Sequence, residues 1–150
     1  MRAVVQRVSE ASVSIGGQEH ARIGRGLLVL LGVEAGDSND DLQWLCGKIA
    51  RLRIFAGADG KMDLDTVQAS GDILLISQFT LHASTAKGNR PSYIRVARPE
   101  EAIPLYERAK EVLATATGRA VQCGVFGADM QVSLMNDGPV TIVVDSKLKE

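Results

Sequence analysis

Apolar and polar residues alternate from the first position of the chain. "RAVVQRV" (2–8), "ASVSI" (11–15) and "EHARI" (19–23) each repeat with a period of two, the spacing that turns one face of a strand toward a core. "SE" and "GGQ" interrupt them, and Gly16-Gly17 supplies the central pair of a tight hairpin. "GLLVLLGV" (26–33) is apolar throughout, the pattern of a strand covered on both faces. The opening therefore predicts a meander that feeds a central strand.

The period then changes. Ser38 or Asn39 can cap a helix whose first turn carries Asp40 and Asp41, where the helix dipole favours negative charge. Leu42, Leu45, Cys46, Ile49 and Leu52 follow at helical spacing, and Trp44 lies off the centre of that stripe, at an edge or an intersubunit contact. "GADGKMDLD" (57–65) is a turn-rich connection, and "DILLISQFTL" (72–81) is a second buried strand. A second helix presents Ala102, Leu105, Tyr106, Ala109, Val112 and Leu113 on one face and stops at Gly118. Pro104 suits its first position. "RAVQCGVF", "DMQVSLM" and "VTIVVD" close the chain as a meander, the last two joined by "NDGP" as a four-residue hairpin turn. The order predicts an α/β protein of mixed, largely antiparallel sheets with helices packed on one side.

Composition narrows this to one domain, spanning 1–150. At 150 residues, 45% of them hydrophobic, the chain can bury its own core. No apolar run reaches the length of a membrane span, and the charged, alternating N-terminus reads as a strand rather than a signal peptide. Cys46 and Cys123 form no C-x-x-C pair and suit buried thiols in a reducing cytoplasm. A net charge of -1 excludes a surface that tracks many phosphates, so a nucleic-acid partner has to be gripped locally. The acid-free stretch 83–98, with Lys87, Arg90, Arg95 and Arg98, is the place for that grip; a solvated loop is its plain alternative.

Ordinary catalytic apparatus is missing. No metal-protease, phosphate-loop or nucleophile-elbow motif occurs. His20 and His82 are the only histidines, and both are expected to face solvent. Asp59, Asp63 and Asp65 lack the spacing of a calcium loop, so no metal and no cofactor is expected. Two polar stretches remain. "SQFTL" (77–81) ends a buried strand with side chains and N–H groups that leave the ladder, a possible oxyanion site, while "NDGPVT" (136–141) places Gly-Pro in a turn.

The pair "SQFTL" and "NDGPVT", with "KGNRPSY" between them, closely resembles the D-aminoacyl-tRNA deacylase family in form, order and chain length. The likeness runs from "MRAVVQRV" to "VTIVVD". Tyr93 stands where the family's "RPSF" stretch has Phe, and the motif stops before His82, to which no role carries over. The resemblance implies a cytoplasmic homodimer of barrel-like sandwich fold. Its activity would be hydrolysis of the ester between a D-amino acid, or glycine, and the 3′ end of tRNA, mischarged Gly-tRNA(Ala) included. It also implies a cis peptide at Gly138–Pro139, projecting from one subunit into the other's active site to reject L-aminoacyl groups. Ser77, Gln78, Phe79 and Thr80 would form the catalytic floor, with Asn136 bracing the turn. Thr80 is either a bystander to a reaction assisted by the substrate's 2′-OH or the nucleophile. A Thr80-dependent small-molecule esterase and a non-catalytic oligomeric ligand-binding protein are the rival readings.

Overall fold

The computed structural model describes residues 1–149. Its main sheet is built around β1 (Arg2–Ile15), which pairs antiparallel with β2 (Gln18–Ile23), β3 (Gly26–Gly32) and β8 (Gln131–Asp145). β3 pairs parallel with β6 (Asp72–Ser77), and β6 pairs parallel with the two-residue β7 (Gln122–Cys123). The sheet is therefore mixed, in the order β2-β1-β3-β6-β7 with β8 on β1, and it curls into a nearly closed barrel. α1 (Asn39–Ala50) connects β3 to β6 and α2 (Pro99–Thr117) connects β6 to β7. β4 (Phe55–Ala56) and β5 (Met62–Leu64) form a small separate hairpin within the connection read as turns.

Strand alternation sorts the side chains into two cores. Leu27, Val29 and Leu31 on β3, with Ile73 and Leu75 on β6, face Leu42, Leu45 and Ile49 of α1 and Tyr106, Ala109 and Leu113 of α2. Leu28, Leu74 and Ile76 point the other way and fill the curled sheet with Val8, Ala11, Val13 and Ile23. Both helices thus cover one side. Ser38 caps α1 and Asp41 completes a capping box, its carboxylate accepting from the Ser38 N–H at 2.9 Å. The hairpin pair Gly16-Gly17 lies at φ +59° and +79°, and Gly118 ends α2 in the left-handed conformation at φ +68°. Each of these positions favours a residue without Cβ.

Four local readings are corrected. "RAVVQRV" and "ASVSI" form one strand; the interruption at "SE" is a single register shift against β8 between Val8 and Glu10, a bulge rather than a break. α2 begins at Pro99, not Pro104. Its first N–H groups need no intrahelical partner, so Pro99 fits there, and Pro104 removes only one later bond on an exposed side. The closing meander is replaced by β7 and a single long β8. "NDGP" is no hairpin turn: β8 runs through it, with Asn136 opposite Val8 and Thr141 opposite Gln6. The residues 137–140 stand opposite Arg7 alone and are pushed out of the ladder as a protrusion.

Candidate active site

β6 ends at Ser77 because the ladder does. The Gln78 N–H donates to the Leu31 carbonyl at 2.8 Å, β3 stops at Gly32, and Phe79–His82 turn into a short 3₁₀ helix. This site turn is fastened from three directions. The Arg2 Nη1 donates to the Leu81 carbonyl at 2.7 Å, while the same guanidinium pairs with Asp145. Gly32 lets the turn approach β3, since a Cβ there would lie 2.9 Å from the Gln78 carbonyl oxygen and 3.1 Å from the Leu81 Cβ. His82 folds beneath, its Nε2 3.1 Å from the Gly32 carbonyl.

His82 is 1% exposed, so the expectation of a solvent-facing imidazole is overturned. Strand alternation past Ser77 no longer applies once the chain turns. Burial, the largest influence, lowers the pKa of His82 below the ordinary imidazole value, opposed by its bond to Gly32 and by Glu34. His20 is exposed, as expected.

Beside the turn lies a cavity of about 470 Å³, in the range of pockets that hold small-molecule ligands. Ser77, Gln78 and Phe79 form one wall; Tyr106, Phe126 and Met130 contribute apolar surface opposite. Tyr106 spends its hydroxyl on the Leu75 carbonyl at 2.9 Å and packs edge-to-face against Phe126 at 5.8 Å. Asp129 is the single charged residue of the lining. Phe79 and Tyr93, both exposed, meet edge-to-face at 5.2 Å.

The Thr80 Oγ1 accepts from the Gln78 Nε2 at 2.6 Å. Among the described residues no imidazole, amine or carboxylate bonds to that hydroxyl, and none accepts from the N–H of Phe79 or Thr80. As the opening N–H groups of a 3₁₀ turn, they have no partner within it.

The second group of residues lies apart. Asn136, Gly138 and Pro139 are absent from the cavity lining. Asn136 closes the base of the protrusion, accepting from the Val140 N–H at 2.8 Å and donating to the Thr141 Oγ1 at 2.9 Å. Arg7 grips it from β1: Nε donates to the Asp137 carbonyl at 2.9 Å while Nη1 donates to the Ile54 carbonyl. The Gly138–Pro139 bond is cis, and Gly138 takes φ +139°, open to glycine. Pro139 is exposed at the tip.

Lys87, Arg90, Arg95 and Arg98 are all exposed, on or beside a loop closed by reciprocal bonds between Ser84 and Ser92. Arg95 is engaged by Glu34 at 2.5 Å; the other three have no carboxylate partner among the described residues. No group of three or more metal-ligating side chains comes together among the described residues. Arg7, Gly32, Phe126 and Met130 were missed by sequence reasoning. Only Gly32 had a signal, as a glycine inside an apolar run.

A sequence model of the D-Tyr-tRNA(Tyr) deacylase family matches residues 4–145. Proteins named D-aminoacyl-tRNA deacylase from Akkermansia muciniphila and Bacteroides thetaiotaomicron are 59% and 57% identical to it, each over the whole of both chains. A solved structure titled c-Myc DNA Unwinding Element Binding Protein superposes with a TM-score of 0.91 at 40% identity, covering 97% of this chain and 98% of the other. A probable eukaryotic D-amino acid tRNA deacylase shares the fold, with a TM-score of 0.85 at 17% identity over 96% and 98% of the two chains. The fold is that of a small α/β hydrolytic enzyme. The chain belongs to the D-Tyr-tRNA(Tyr) deacylase family.

Proposed function

We propose that this protein hydrolyses the ester linking a D-aminoacyl or glycyl group to the 3′-terminal adenosine of tRNA, mischarged Gly-tRNA(Ala) included. The observation that carries the reading is the pair of unpartnered N–H groups, Phe79 and Thr80, beside a cavity whose lining holds no cation. A neutral nucleoside and its ester suit such a cavity; phosphates do not. The terminal adenosine occupies the pocket against Phe126 and Met130, Ser77 and Gln78 shape its edge, and phosphates stay outside with Lys87, Arg90 and Arg98. Arg95, already held by Glu34, contributes less than the sequence suggested.

The chemistry is substrate-assisted. Water attacks the acyl carbonyl, the vicinal 2′-OH orients it, and the site-turn N–H groups receive the charge on the tetrahedral oxygen. One such donor supplies about 2.7–4 kcal/mol, and orientation of reacting groups about 7–11 kcal/mol. The ester C–O bond breaks, the 3′ oxygen takes a proton, and free amino acid leaves. Nothing near Thr80 is placed to take its proton, which speaks against a nucleophile.

Chirality is sorted by main chain. The Gly138–Pro139 protrusion of a second copy stands beside the substrate's α-carbon, blocks the direction of an L side chain and leaves the D direction open. Glycine passes either way. In favour of a second copy, the protrusion does not line its own chain's cavity, and β8 carries exposed Leu134, Met135 and Val143. Such a wall ignores side-chain identity, so many D-aminoacyl-tRNAs are substrates.

The test pairs an enzyme variant with a substrate variant. Thr80→Ala retains substantial turnover of D-Tyr-tRNA, whereas D-Tyr esterified to a 2′-deoxyadenosine end is hardly cleaved. The reverse pattern makes Thr80 the nucleophile. Cleavage of a free D-tyrosine ester as fast as charged tRNA would instead favour a small-molecule esterase, and no release from either a binding protein. Sedimentation of the intact protein as a monomer would remove the shared site.

A further inference from the structure

The site turn has a buried fastening that the reaction as described does not use. A carbonyl oxygen can only accept, so the contact between His82 Nε2 and the Gly32 carbonyl requires a proton on Nε2. In the neutral ring this leaves Nδ1 as a bare lone pair. That atom is buried with no hydrogen-bond partner. It faces the Glu34 Oε2 at 3.9 Å, while the other oxygen of the same carboxylate, Oε1, holds Arg95 at 2.5 Å. Glu34 therefore stands between the floor of the site and the base of the cationic loop.

We propose that His82 is a positioning residue for the deacylation reaction. Its neutral Nε2–H tautomer locks the Phe79–Thr80 turn to the end of β3, and the Glu34 carboxylate that holds Arg95 stands 3.9 Å from the free Nδ1. A bare Nδ1 opposite a carboxylate is an unusual thing to bury. An apolar ring would fill the space but leave the Gly32 carbonyl without this donor, whereas the imidazole reaches Gly32 and presents a second nitrogen to Glu34. The charged groups around the ring are Glu34 after β3, Arg2 on β1 and the Met1 ammonium; Lys147 lies 3.7 Å from the Glu34 Oε2, the same oxygen that faces Nδ1. Glu34 favours a proton on Nδ1. Burial, the ammonium and Arg2 oppose it, and the opposing side wins at neutral pH. On acidification Nδ1 gains a proton and pairs with Glu34, so the turn and the cationic loop answer to the same titration.

The proposal rests on the deacylase reading, and its test separates the two. The variants are His82→Gln, whose amide donor extends far enough to replace the Nε2–H, His82→Asn, whose amide stops short, and His82→Phe, which fills the space without a donor. With D-Tyr-tRNA, kcat falls about 10- to 100-fold in the Phe and Asn variants, KM stays within about twofold, and Gln recovers most of the loss. Unchanged kcat in His82→Asn, or equal losses in Gln and Asn, overturns the proposal. If His82→Phe does not fold, the comparison of Gln with Asn decides alone. Long-range ¹H–¹⁵N spectra of the unmodified protein read the tautomer independently of turnover. A protonated Nε2 with bare Nδ1 at neutral pH is the expected result, and the opposite tautomer refutes the lock even where activity on D-Tyr-tRNA is confirmed.

Discussion

Gly32→Ala probes the site turn with a single methyl group. The added carbon would lie 2.9 Å from the Gln78 carbonyl oxygen, 3.0 Å from the His82 Cδ2 and 3.1 Å from the Leu81 Cβ. Carbon atoms settle at about 3.5–4.0 Å, so the Leu81 contact alone demands a retreat of about 0.4 Å or more. Neither a backbone oxygen nor a Cβ can swing aside as the end of a long side chain could. The turn has to move as a body, against the Gln78–Leu31 bond and the Arg2 grip on Leu81. Overpacking of this kind costs about 1–3 kcal/mol of stability. Its kinetic cost is separate. A displacement of about 1 Å can lower a rate about 100-fold, so roughly half that displacement predicts about a tenfold loss. Single-turnover hydrolysis of D-Tyr-tRNA at saturating enzyme isolates that step from binding and release. Denaturant titration measures the stability arm. Gly24→Ala is the control, because a Cβ there meets nothing within 4 Å and the backbone is not in the left-handed region. A Gly32→Ala enzyme with the parent's single-turnover rate would refute the role given to the turn's N–H groups.

Gly138→Ala places a Cβ 2.8 Å from the Val140 Cγ2 and 3.0 Å from the Arg7 Nη2 at φ +139°, so the protrusion cannot keep its shape. The ratio of D- to L-Tyr-tRNA hydrolysis should fall about tenfold or more, and an unchanged ratio would remove the wall from this position. With Lys87, Arg90 and Arg98 as the proposed grip on the tRNA end, log K against log salt should slope at about -2 to -3; a slope near about -6 would mean a far wider phosphate footprint. His82, with its folded pKa lowered, contributes stability that is complete above the ordinary value of 6.5 and is lost as pH falls through the folded pKa. The unfolded chain binds the extra proton there, so stability drops by at most about 1.4 kcal/mol per pH unit, and His82→Gln should flatten that segment of the curve.

What the sequence revealed was what neighbours along the chain decide. The alternation in 2–8 and 19–23, the apolar run of β3, the α1 stripe with its Ser38 cap and the Gly118 stop are all written within a few residues of themselves. What it concealed was decided by a strand elsewhere. "NDGP" carries every local sign of a turn, yet β1 pairs on both sides of it and holds β8 in one line. "SE" breaks an alternation because β8 shifts register there, which the composition of β1 alone cannot distinguish from a strand end. His82 was placed outside because β6 was read four residues too far, to Leu81 rather than Ser77. The end of that strand is fixed by Leu31 and Gly32, more than forty positions earlier.

The candidate site was marked by its motifs, and their chemistry was not, for one reason. Both proposed working parts are main chain: two N–H groups freed where a strand turns, and a Gly-Pro segment displaced from a strand. A search for nucleophiles, bases and ligands passes over such parts, since any residue carries an N–H. Their positions come from ordinary residues that no pattern marks, Arg7 beneath the protrusion and Gly32 beneath the turn. β3 and β6 run parallel and end together, so their carboxyl ends open the crevice in which the cavity sits, the usual place for a ligand between crossover helices. A main-chain site also suits the proposed task. A filter that must accept D-aminoacyl groups of every size gains nothing from a side-chain pocket, which would choose among them. It needs a surface that senses only the direction in which the α-carbon substituent leaves, and backbone braced by Arg7 and Asn136 presents one.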